Sequence, residues 1–365
     1  MRVTGAGHAT APAEQRALIV AVDLGDPSLH PQLEELKALA GASGLFVVGE
    51  VIQKLAHVDA STLVGSGKAV EIFERAKEVE ASVLLVYNDL RPRQRNNLEK
   101  VIPLPIVDRT MLILDVFALH ARSREGKLQV ELAQLRYRQS NLIGSSAALS
   151  RLGGGVGTRG PGETKLEVDR RKIQQRVTLL NRQLDEVRKQ RETRRGGRGS
   201  ESLVALVGYT NVGKSSLLNR LAGVGGNAAF VADQPFATLD PTLRRVYVGE
   251  GRSVRMADTV GFITALPKEL MNAFRATLEE LDEADLLVHV LDASNPDWAR
   301  QRASVDSILT ELKLDEKPTI LVFNKMDRLD DAARDALVGV GALEVSASSG
   351  VGLDRLRAAI AERLG

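Results

Sequence analysis

Two glycines, a lysine and a serine in "GYTNVGKSS" have the spacing Gly-x-x-x-x-Gly-Lys-Ser, at Gly208, Gly213, Lys214 and Ser215. Glycines allow backbone N–H groups to curl around phosphate oxygens, and a lysine can reach the β and γ oxygens. The serine hydroxyl after the lysine is suited to Mg²⁺. Because the pattern stands between an apolar run and an amphipathic stretch, as a phosphate loop requires, it predicts a nucleoside triphosphate site.

Three further elements follow in chain order. In "ADTVGF" the carboxylate of Asp258 can hold the Mg²⁺ shell, while the Gly261 N–H can meet the γ-phosphate. In "ILVFNKMD" Asp327 can accept two hydrogen bonds from the ring N–H and the exocyclic amine of guanine, which adenine cannot supply. In "EVSASSG" Ser346 and the Ala347 N–H are suited to the guanine carbonyl. The ordered set predicts GTP and GDP as ligands, together with Mg²⁺.

The predicted nucleotide contacts are these motif residues and their immediate neighbours. Lys214 and Gly261 are expected to act at the reacting phosphate. Ser215 and Asp258 are expected to hold the metal, Asp258 through a water molecule. The full set from these motifs is Gly208, Tyr209, Thr210, Asn211, Val212, Gly213, Lys214, Ser215, Ser216, Asp258, Thr259, Val260, Gly261, Asn324, Lys325, Met326, Asp327, Ser346, Ala347 and Ser348.

Each of these motifs is placed at the end of a predicted strand, and the domain that carries them is assigned to residues 201–365. The 365 residues exceed what one hydrophobic core usually organises. Shifts in composition divide the remainder into residues 1–125 and 126–200. The predicted fold class is α/β, a P-loop GTPase domain preceded by an α/β N-terminal domain and an antiparallel helical hairpin.

Residues 1–125 alternate between β-branched runs and stretches with helical periodicity. The runs "ALIVAVDL", "GLFVVGEVI", "SVLLVYND" and "LPIVD" predict strands, and "PQLEELKALA" and "KAVEIFERAKEVE" predict helices. This alternation is typical of a mostly parallel sheet covered by helices. The stretch "GSGKA" is no phosphate loop, because Thr62 stands at the first glycine position and Ala69 lacks a hydroxyl. A turn before a helix is predicted there.

Two apolar stripes within residues 126–200 predict a pair of helices that hide each other's apolar side. The first stripe is Leu128, Leu132, Leu135 and Leu142, and the second is Ile173, Val177, Leu180, Leu184 and Val187. Between them, six glycines and one proline in residues 151–165 predict a flexible loop without regular structure. Its Gly-x-Gly-x-x-Gly spacing is not interpreted as a dinucleotide site, because no strand precedes it and Pro161 follows.

The excess positive charge lies in the same segment. Residues 126–200 carry 17 basic and 7 acidic side chains, while the segments before and after have net charges of −2 and −6. The positive electrostatic field of such a segment would attract the phosphate backbone of a nucleic acid. Because aromatic residues are scarce in this segment, a structured nucleic acid recognised by its shape is favoured. A solvated helix face and a disordered linker are the alternatives. The predicted contacts are Arg151, Arg159, Lys165, Arg170, Arg171, Lys172 and Arg176.

Other features of the composition argue against a membrane-spanning, a secreted or a disulfide-bonded protein. No run of eighteen apolar residues is present that could span a bilayer, and the first residues lack the apolar centre of a signal peptide. The chain has no cysteine, which excludes disulfides and thiolate metal sites. A cytoplasmic protein is expected.

The motifs "GYTNVGKSSLLN", "FATLDPT" and "DTVGF", together with "RLGGGVGTRGPGETKLE", resemble those of GTPases of the Obg/HflX type, and most specifically the HflX family. The resemblance covers nearly the whole chain. It implies that Thr238 is the switch threonine that binds Mg²⁺ and senses the γ-phosphate, with Phe236 and Ala237 beside the nucleotide. The residues alone do not distinguish Thr238 from Thr242.

The resemblance also implies a partner, the large ribosomal subunit with its ribosomal RNA. The family splits stalled ribosomes, with the N-terminal domain and the hairpin entering near the peptidyl transferase centre, and a monomer is expected on the ribosome. A signalling GTPase with a protein effector, whose central helices form a dimerising coiled coil, is the alternative. The sequence ends with the predicted last helix, "LDRLRAAIAERLG", so the C-terminal extension that some members carry is not expected.

The residue after Gly261 is Phe262, where Ras-like GTPases have a glutamine that orients the attacking water. An apolar ring can neither donate nor accept the hydrogen bonds that align this water. Slow hydrolysis by the free protein, stimulated by its target, is therefore expected. The alternative is that Phe262 only packs beneath the switch while another side chain orients the water.

Overall fold

The computed structural model describes residues 15–150, 161–195, 201–223, 235–236, 242–264, 271, 281–337 and 339–365. The described residues belong to two compact units, one drawn from Met1–Ile113 with Ser140–Glu163 and the other from Leu114–Gln139 with Thr164–Gly365. The domain boundaries after residues 125 and 200 stay predictions.

Four parallel strands form the sheet of the first unit, in the order β2-β1-β3-β4. They are β1 (Gln15–Asp23), β2 (Leu45–Lys54), β3 (Val83–Val86) and β4 (Ile106–Asp108). The connecting helices are α1 (Leu29–Ala42), α2 (Ser66–Glu78) and α3 (Pro92–Val101). The predicted alternation of strands and helices is confirmed. Helix α2 begins at Ser66, directly after Gly65, so four of the five residues of "GSGKA" lie inside the helix, and the predicted turn before a helix is wrong for them.

Three helices follow the first sheet, namely α4 (Arg109–His120), α5 (Arg124–Ser150) and α6 (Pro161–Arg195). The sequence analysis did not predict α4. The prediction of an irregular loop over residues 151–165 is wrong for its last five residues, because α6 begins at Pro161. Proline is favoured in the first turn of a helix, where its missing N–H would have no helical partner. Residues 151–160 lie outside the described part of the chain.

Helices α5 and α6 form an antiparallel pair, as predicted. Leu132, Val177 and Leu180 are buried between them, with Leu128, Leu135, Ile173 and Leu184 packed around this centre. Toward the far end of α5, Gln139 donates a hydrogen bond to Gln174 at 2.9 Å. Nearer its start, Glu131 accepts two hydrogen bonds from Arg176 at 2.7 and 2.9 Å. Seven of the nine predicted stripe residues therefore pack against one another within one chain; Val187 is not part of this cluster, and the side chain of Leu142 lies outside the described part.

The second unit contains a mixed sheet of six strands in the order β10-β9-β8-β5-β7-β6, in which only β6 runs antiparallel to its neighbour. The strands are β5 (Leu203–Gly208), β6 (Thr242–Gly249), β7 (Arg252–Asp258), β8 (Leu286–Asp292), β9 (Thr319–Asn324) and β10 (Leu343–Glu344). The helices described with them are α7 (Lys214–Ala222), α8 (Trp298–Glu311), α9 (Asp331–Asp335) and α10 (Leu353–Arg363).

Strands β5 and β8 lie at the centre of this sheet, and every one of their residues is buried. Burial on both faces explains their continuous apolar sequences, because helices cover both sides of a parallel sheet. The motifs follow the carboxyl ends of β5, β7 and β9, which brings them to one edge of the sheet. Within the described ranges, the structure contains no helix with the length and apolar character needed to span a bilayer.

Candidate nucleotide-binding site

The phosphate loop connects β5 to α7, and its two motif glycines are required by close contacts. Gly208 has φ +150°, and a Cβ there would lie 2.3 Å from the Val290 carbonyl oxygen. Gly213 has φ +91°, and a Cβ there would lie 2.4 Å from Asn324 Nδ2. L-residues rarely adopt these backbone conformations, so only glycine lets the loop pass this close to β8 and β9.

Replacing Gly208 by alanine is expected to lower the free energy of unfolding by about 2–4 kcal/mol, because the new methyl group meets a backbone carbonyl and the backbone becomes strained. Denaturant titration measures this change. Gly65→Ala is the matched control, since its Cβ would meet nothing within 4 Å and φ is −57°. Equal stability of the two variants would contradict the close contact at Gly208.

Lys214 begins α7 and is 6% exposed. Its ammonium donates hydrogen bonds to the carbonyl oxygens of Gly208 at 3.0 Å and Tyr209 at 2.8 Å. Burial lowers the pKa of Lys214 to about 8, while the nearby Asp258 carboxylate acts in the opposite direction. The ammonium group is thus held inside the loop with only part of its hydrogen-bonding capacity directed at carbonyl groups.

Ser215 and Asp258 meet across the loop. The Ser215 hydroxyl donates a hydrogen bond of 2.5 Å to Asp258 Oδ2, and the Asp258 residue is fully buried at the end of β7. The adjacent Thr259 donates to the Leu206 carbonyl oxygen at 2.6 Å, which fixes the chain beyond β7 against β5. A hydroxyl and a carboxylate side by side form the set of hard oxygen donors that Mg²⁺ prefers.

The segment 260–264 lies directly against the phosphate loop. Phe262 donates its N–H to the Gly208 carbonyl at 3.1 Å and accepts from the Thr210 N–H at 2.8 Å, so the two segments pair as a short parallel bridge. The ring of Phe262 is buried, as are Val260 and Ile263. A Cβ on Gly261 would lie 2.8 Å from Thr210 Cα, so a side chain at this position would collide with the loop.

Asn324, at the end of β9, connects two predicted loops. Its side-chain N–H donates to the Val212 carbonyl oxygen at 2.8 Å, and its Oδ1 accepts from the Ala347 N–H at 3.0 Å. Lys325, with φ +65°, donates to the Asn211 carbonyl oxygen and to Asp292 Oδ2, both at 2.7 Å. These contacts bring "NKMD" and "SAS" to the side of the phosphate loop.

A cavity of about 200 Å³ opens between these loops. It is lined by Gly213, Ser216, Asn324, Lys325, Asp327, Arg328, Ala347 and Ser348. Asp327 Oδ1 accepts a hydrogen bond of 2.5 Å from the buried Ser346 hydroxyl, which lies 3.0 Å from Ser348 Oγ. The Ser346 hydrogen bond is the main cause that lowers the pKa of Asp327. The cavity therefore presents a carboxylate that stays ionised at neutral pH.

Among the predicted contacts that do not line this cavity, Met326 and Phe236 are packed into the interior. Met326 is buried and packs with Leu291, Phe323 and Leu337, so its side chain belongs to the core. Phe236 is buried, has φ +58° and packs its ring against Phe117 of α4, with ring centroids 4.4 Å apart.

Of the two candidates for the switch threonine, Thr238 and Thr242, the structure describes only Thr242. Ala237 and Thr238 lie outside the described residues. Thr242 is the first residue of β6, where it pairs with Asp258 of β7.

The predicted nucleic-acid contacts that lie on α6 differ in their exposure and in their partners. Arg170, Arg171 and Lys172 are exposed. Arg176 is held by Glu131 in a two-bond ion pair, which raises the pKa of its guanidinium. Lys165 is in α6, but its side chain is outside the described part, as are Arg151 and Arg159 altogether.

Sequence reasoning missed several residues that shape the site. Asp292 pairs with Lys325, Arg328 lines the cavity, and Thr264 bonds to Tyr209 at 2.7 Å. Asp292 ends the apolar run "LLVHVL", and a carboxylate at a strand end was a usable signal. Nothing in the sequence indicated the contacts of Thr264, because its partner lies 55 residues away.

Three family models match successive parts of the chain. They are described as GTP-binding GTPase N-terminal (residues 30–118), GTP-binding GTPase Middle Region (residues 120–198) and 50S ribosome-binding GTPase (residues 203–325). A solved structure described as a complex of SsGBP and GDP is 24% identical to this chain and has a TM-score of 0.51. The alignment covers 95% of this chain and 98% of that chain, and it supports the fold.

The mixed sheet, the phosphate loop and the loops after β7, β9 and β10 define a P-loop GTPase. A GTPase HflX from Caldanaerobacter subterraneus subsp. tengcongensis is 45% identical over 96% of this chain and 81% of its own length. GTPase HflX from Escherichia coli (strain K12) is 42% identical over 96% of this chain and 83% of its own length. The chain belongs to the HflX family of GTPases, so it binds guanine nucleotides and hydrolyses GTP.

Proposed function

We propose that this GTPase binds the large ribosomal subunit in the cytoplasm and, as a monomer, splits or rescues stalled ribosomes. The observation that carries the proposal is the charge of the segment that forms α5 and α6. Residues 126–200 hold 17 basic against 7 acidic side chains, and Arg170, Arg171 and Lys172 are exposed on α6. Such a surface attracts a phosphate backbone, because binding releases condensed counterions. A family model described as 50S ribosome-binding GTPase matches residues 203–325, which agrees with this partner.

The burial of the apolar stripes supports a monomer. Leu132, Val177 and Leu180 are 3%, 7% and 0% exposed within a single chain. A dimerising coiled coil would need such a stripe to remain available for a second copy. No observation on the described helices favours the signalling alternative.

The nucleotide roles of individual residues are part of the same proposal. The backbone N–H groups of residues 208–213 and the Lys214 ammonium hold the phosphates, and Asp327 with Ser346 and Ala347 holds guanine. Lys214 exchanges its two carbonyl partners for phosphate oxygens. Asp327 accepts hydrogen bonds from the base while Ser346 keeps the carboxylate oriented.

Ser215 and Asp258 fit a divalent cation, because a hydroxyl oxygen and a carboxylate oxygen lie 2.5 Å apart at the end of β7. They would hold Mg²⁺ together with Thr238, with Asp258 acting through a water molecule. When bound, Mg²⁺ neutralises charge on the β and γ phosphates. Gly261 lies against Lys214, so its N–H is suited to orient the γ-phosphate.

Sedimentation of the purified protein with large ribosomal subunits tests the proposal. We expect co-sedimentation that is stronger with a non-hydrolysable GTP analogue than with GDP, and that falls steeply as salt rises. Absence of the protein from the subunit pellet with either nucleotide would reject the ribosomal partner while leaving the GTPase assignment intact.

The basic surface of α6 has its own prediction. Replacing Arg170, Arg171 and Lys172 together by alanine is expected to weaken subunit binding and to flatten its salt dependence, by about 0.7–0.9 in the log–log slope for each lost phosphate contact. Basal GTP turnover should stay at the wild-type level, because these residues lie outside the nucleotide site. Both quantities are measured in parallel over a salt series.

A matched variant removes three exposed basic residues from the nucleotide-binding unit, Lys313, Arg355 and Arg363. It should keep the wild-type salt slope. If the α6 variant binds subunits as tightly as the wild type, the exposed charges are only a solvated helix face. Arg176 is left unchanged in this test, because its loss would also remove the ion pair with Glu131.

A further inference from the structure

Asp292 is the last residue of β8, and its two carboxylate oxygens have separate partners. Oδ1 accepts hydrogen bonds from the Ser294 N–H at 3.0 Å and from the Ser294 hydroxyl at 2.6 Å. Oδ2 accepts a hydrogen bond of 2.7 Å from the Lys325 ammonium. The bonds to Ser294 fix the carboxylate on its own loop, so its second oxygen is presented to Lys325 in a defined position.

The ion pair between Asp292 and Lys325 is largely shielded from water, since only 12% and 16% of the two side chains are exposed. Strands β8 and β9 bring the two residues together, because Asp292 pairs with Asn324, the neighbour of Lys325, in their parallel register. The Lys325 ammonium also donates to the Asn211 carbonyl oxygen at 2.7 Å. Two acceptors therefore hold the end of this flexible side chain in one place.

Lys325 is also part of the wall of the cavity that is proposed to hold the base. Neither Asp292 nor Asn211 is among the residues that line this cavity, so the ammonium is tied down at its border. An unrestrained lysine side chain loses rotamer entropy when a ligand orders it. Because Asp292 and Asn211 have already ordered Lys325, a base that binds against it meets a preformed surface, and the ordering cost at binding is reduced.

We propose that Asp292 is a positioning residue that strengthens the binding of guanine nucleotides by holding Lys325 at the wall of the base cavity. The proposal rests on the proposed placement of the base in that cavity. Asp292 acts through Lys325 and not through a contact of its own with the nucleotide. Because the base is common to GDP and GTP, Asp292 contributes equally to the affinity for both.

The test begins with Asp292→Asn, which keeps the size of the side chain but removes its charge. The amide can offer Lys325 only a neutral oxygen or an N–H donor. We expect the affinities for GDP and for a non-hydrolysable GTP analogue to fall by the same factor, about tenfold, as for the loss of a hydrogen bond between charged groups. Titration of the full chain with fluorescent nucleotides measures both affinities. A loss confined to one of the two nucleotides would contradict the proposal.

A double-mutant cycle separates this role from a purely structural one. In a Lys325→Met background the ammonium is absent, so Asp292→Asn should change nucleotide affinity by less than about twofold. A structural role of Asp292 in its own loop would persist in that background, because its hydrogen bonds with Ser294 do not involve Lys325. The same loss of affinity in both backgrounds would therefore overturn the proposal.

Two control variants alter the same loop without touching the ion pair. Ser294→Ala removes the hydroxyl that bonds Asp292, and Asp297→Asn removes a carboxylate that pairs with Arg300. Both should bind the two nucleotides as the wild type does.

The single variants distinguish failure of this proposal from failure of the proposed base site. If Lys325→Met binds nucleotide weakly while Asp292→Asn binds it as the wild type does, the role of Asp292 is rejected and the base site stands. If Lys325→Met also keeps the wild-type affinity, the base does not bind against Lys325, and the proposed base site is rejected together with the role of Asp292.

Discussion

Asp327→Asn is expected to shift nucleotide preference from guanine toward xanthine by at least about a hundredfold, because two hydrogen bonds to a charged group are lost with GTP. The carboxylate lines the cavity beside Lys325 and Ala347 and accepts a hydrogen bond from Ser346. An asparagine of the same size would offer an N–H donor where xanthine has a carbonyl. Competition of GTP and XTP for the same fluorescent nucleotide measures the change.

Asp330→Asn is the matched control for this substitution. Asp330 lies three residues further on, where it accepts a hydrogen bond from the Ala333 N–H at the start of α9. Asp330 is not among the residues that line the cavity. This variant should therefore prefer GTP as the wild type does. Unchanged preference in Asp327→Asn would exclude this carboxylate as the guanine contact.

Large ribosomal subunits are expected to raise the rate of GTP hydrolysis by about three to five orders of magnitude, as partners that complete a GTPase site do. The reason lies in Phe262, whose ring is 2% exposed and whose backbone is paired with the phosphate loop. A buried ring cannot orient the attacking water, so the isolated protein should turn over slowly while binding GTP normally. Single-turnover hydrolysis with and without large subunits measures the effect, with small subunits as the control.

Phe262→Gln sharpens this prediction. The substituted side chain would start from the same buried position, so we expect no gain in isolated turnover and a loss of stability from burying an amide. Rapid hydrolysis by the isolated wild-type protein, or the same rate with large subunits present, would instead support the alternative that another side chain of this chain orients the water.

Local patterns predicted most of the elements. The runs around Ile19, Val48 and Leu85 became β1, β2 and β3, because β-branched and apolar residues in short runs fit buried parallel strands. Helix α4 was missed, since "RTMLILDVFALH" is apolar on nearly all sides and shows no helical periodicity. The start of α6 was missed for a different reason, because glycines on both sides of Pro161 masked a proline that starts a helix.

The candidate site was predicted as a set of motifs but not as a set of contacts. Gly208, Lys214 and Asp327 could be named from spacing, because phosphate and guanine recognition require those residue types in that order. The bridge of Asn324 to Val212 spans 112 residues, and the hydrogen bond of Thr264 to Tyr209 spans 55. Contacts of this kind depend on the order of strands in the sheet, which residue spacing does not encode.

The two hydrogen bonds of the Asn324 side chain link the loop proposed to hold the phosphates to the loop proposed to hold the base. One amide group holds the phosphate loop at Val212 and the loop at Ala347, which is proposed to hold the base. A nucleoside that orders the second loop also steadies the first, and a pyrophosphate that orders the first also steadies the second, since such coupling is reciprocal. If these loops hold the nucleotide as proposed, guanosine and pyrophosphate are expected to act as cooperative fragments, and the intact nucleotide is expected to bind more tightly than their separate affinities would indicate.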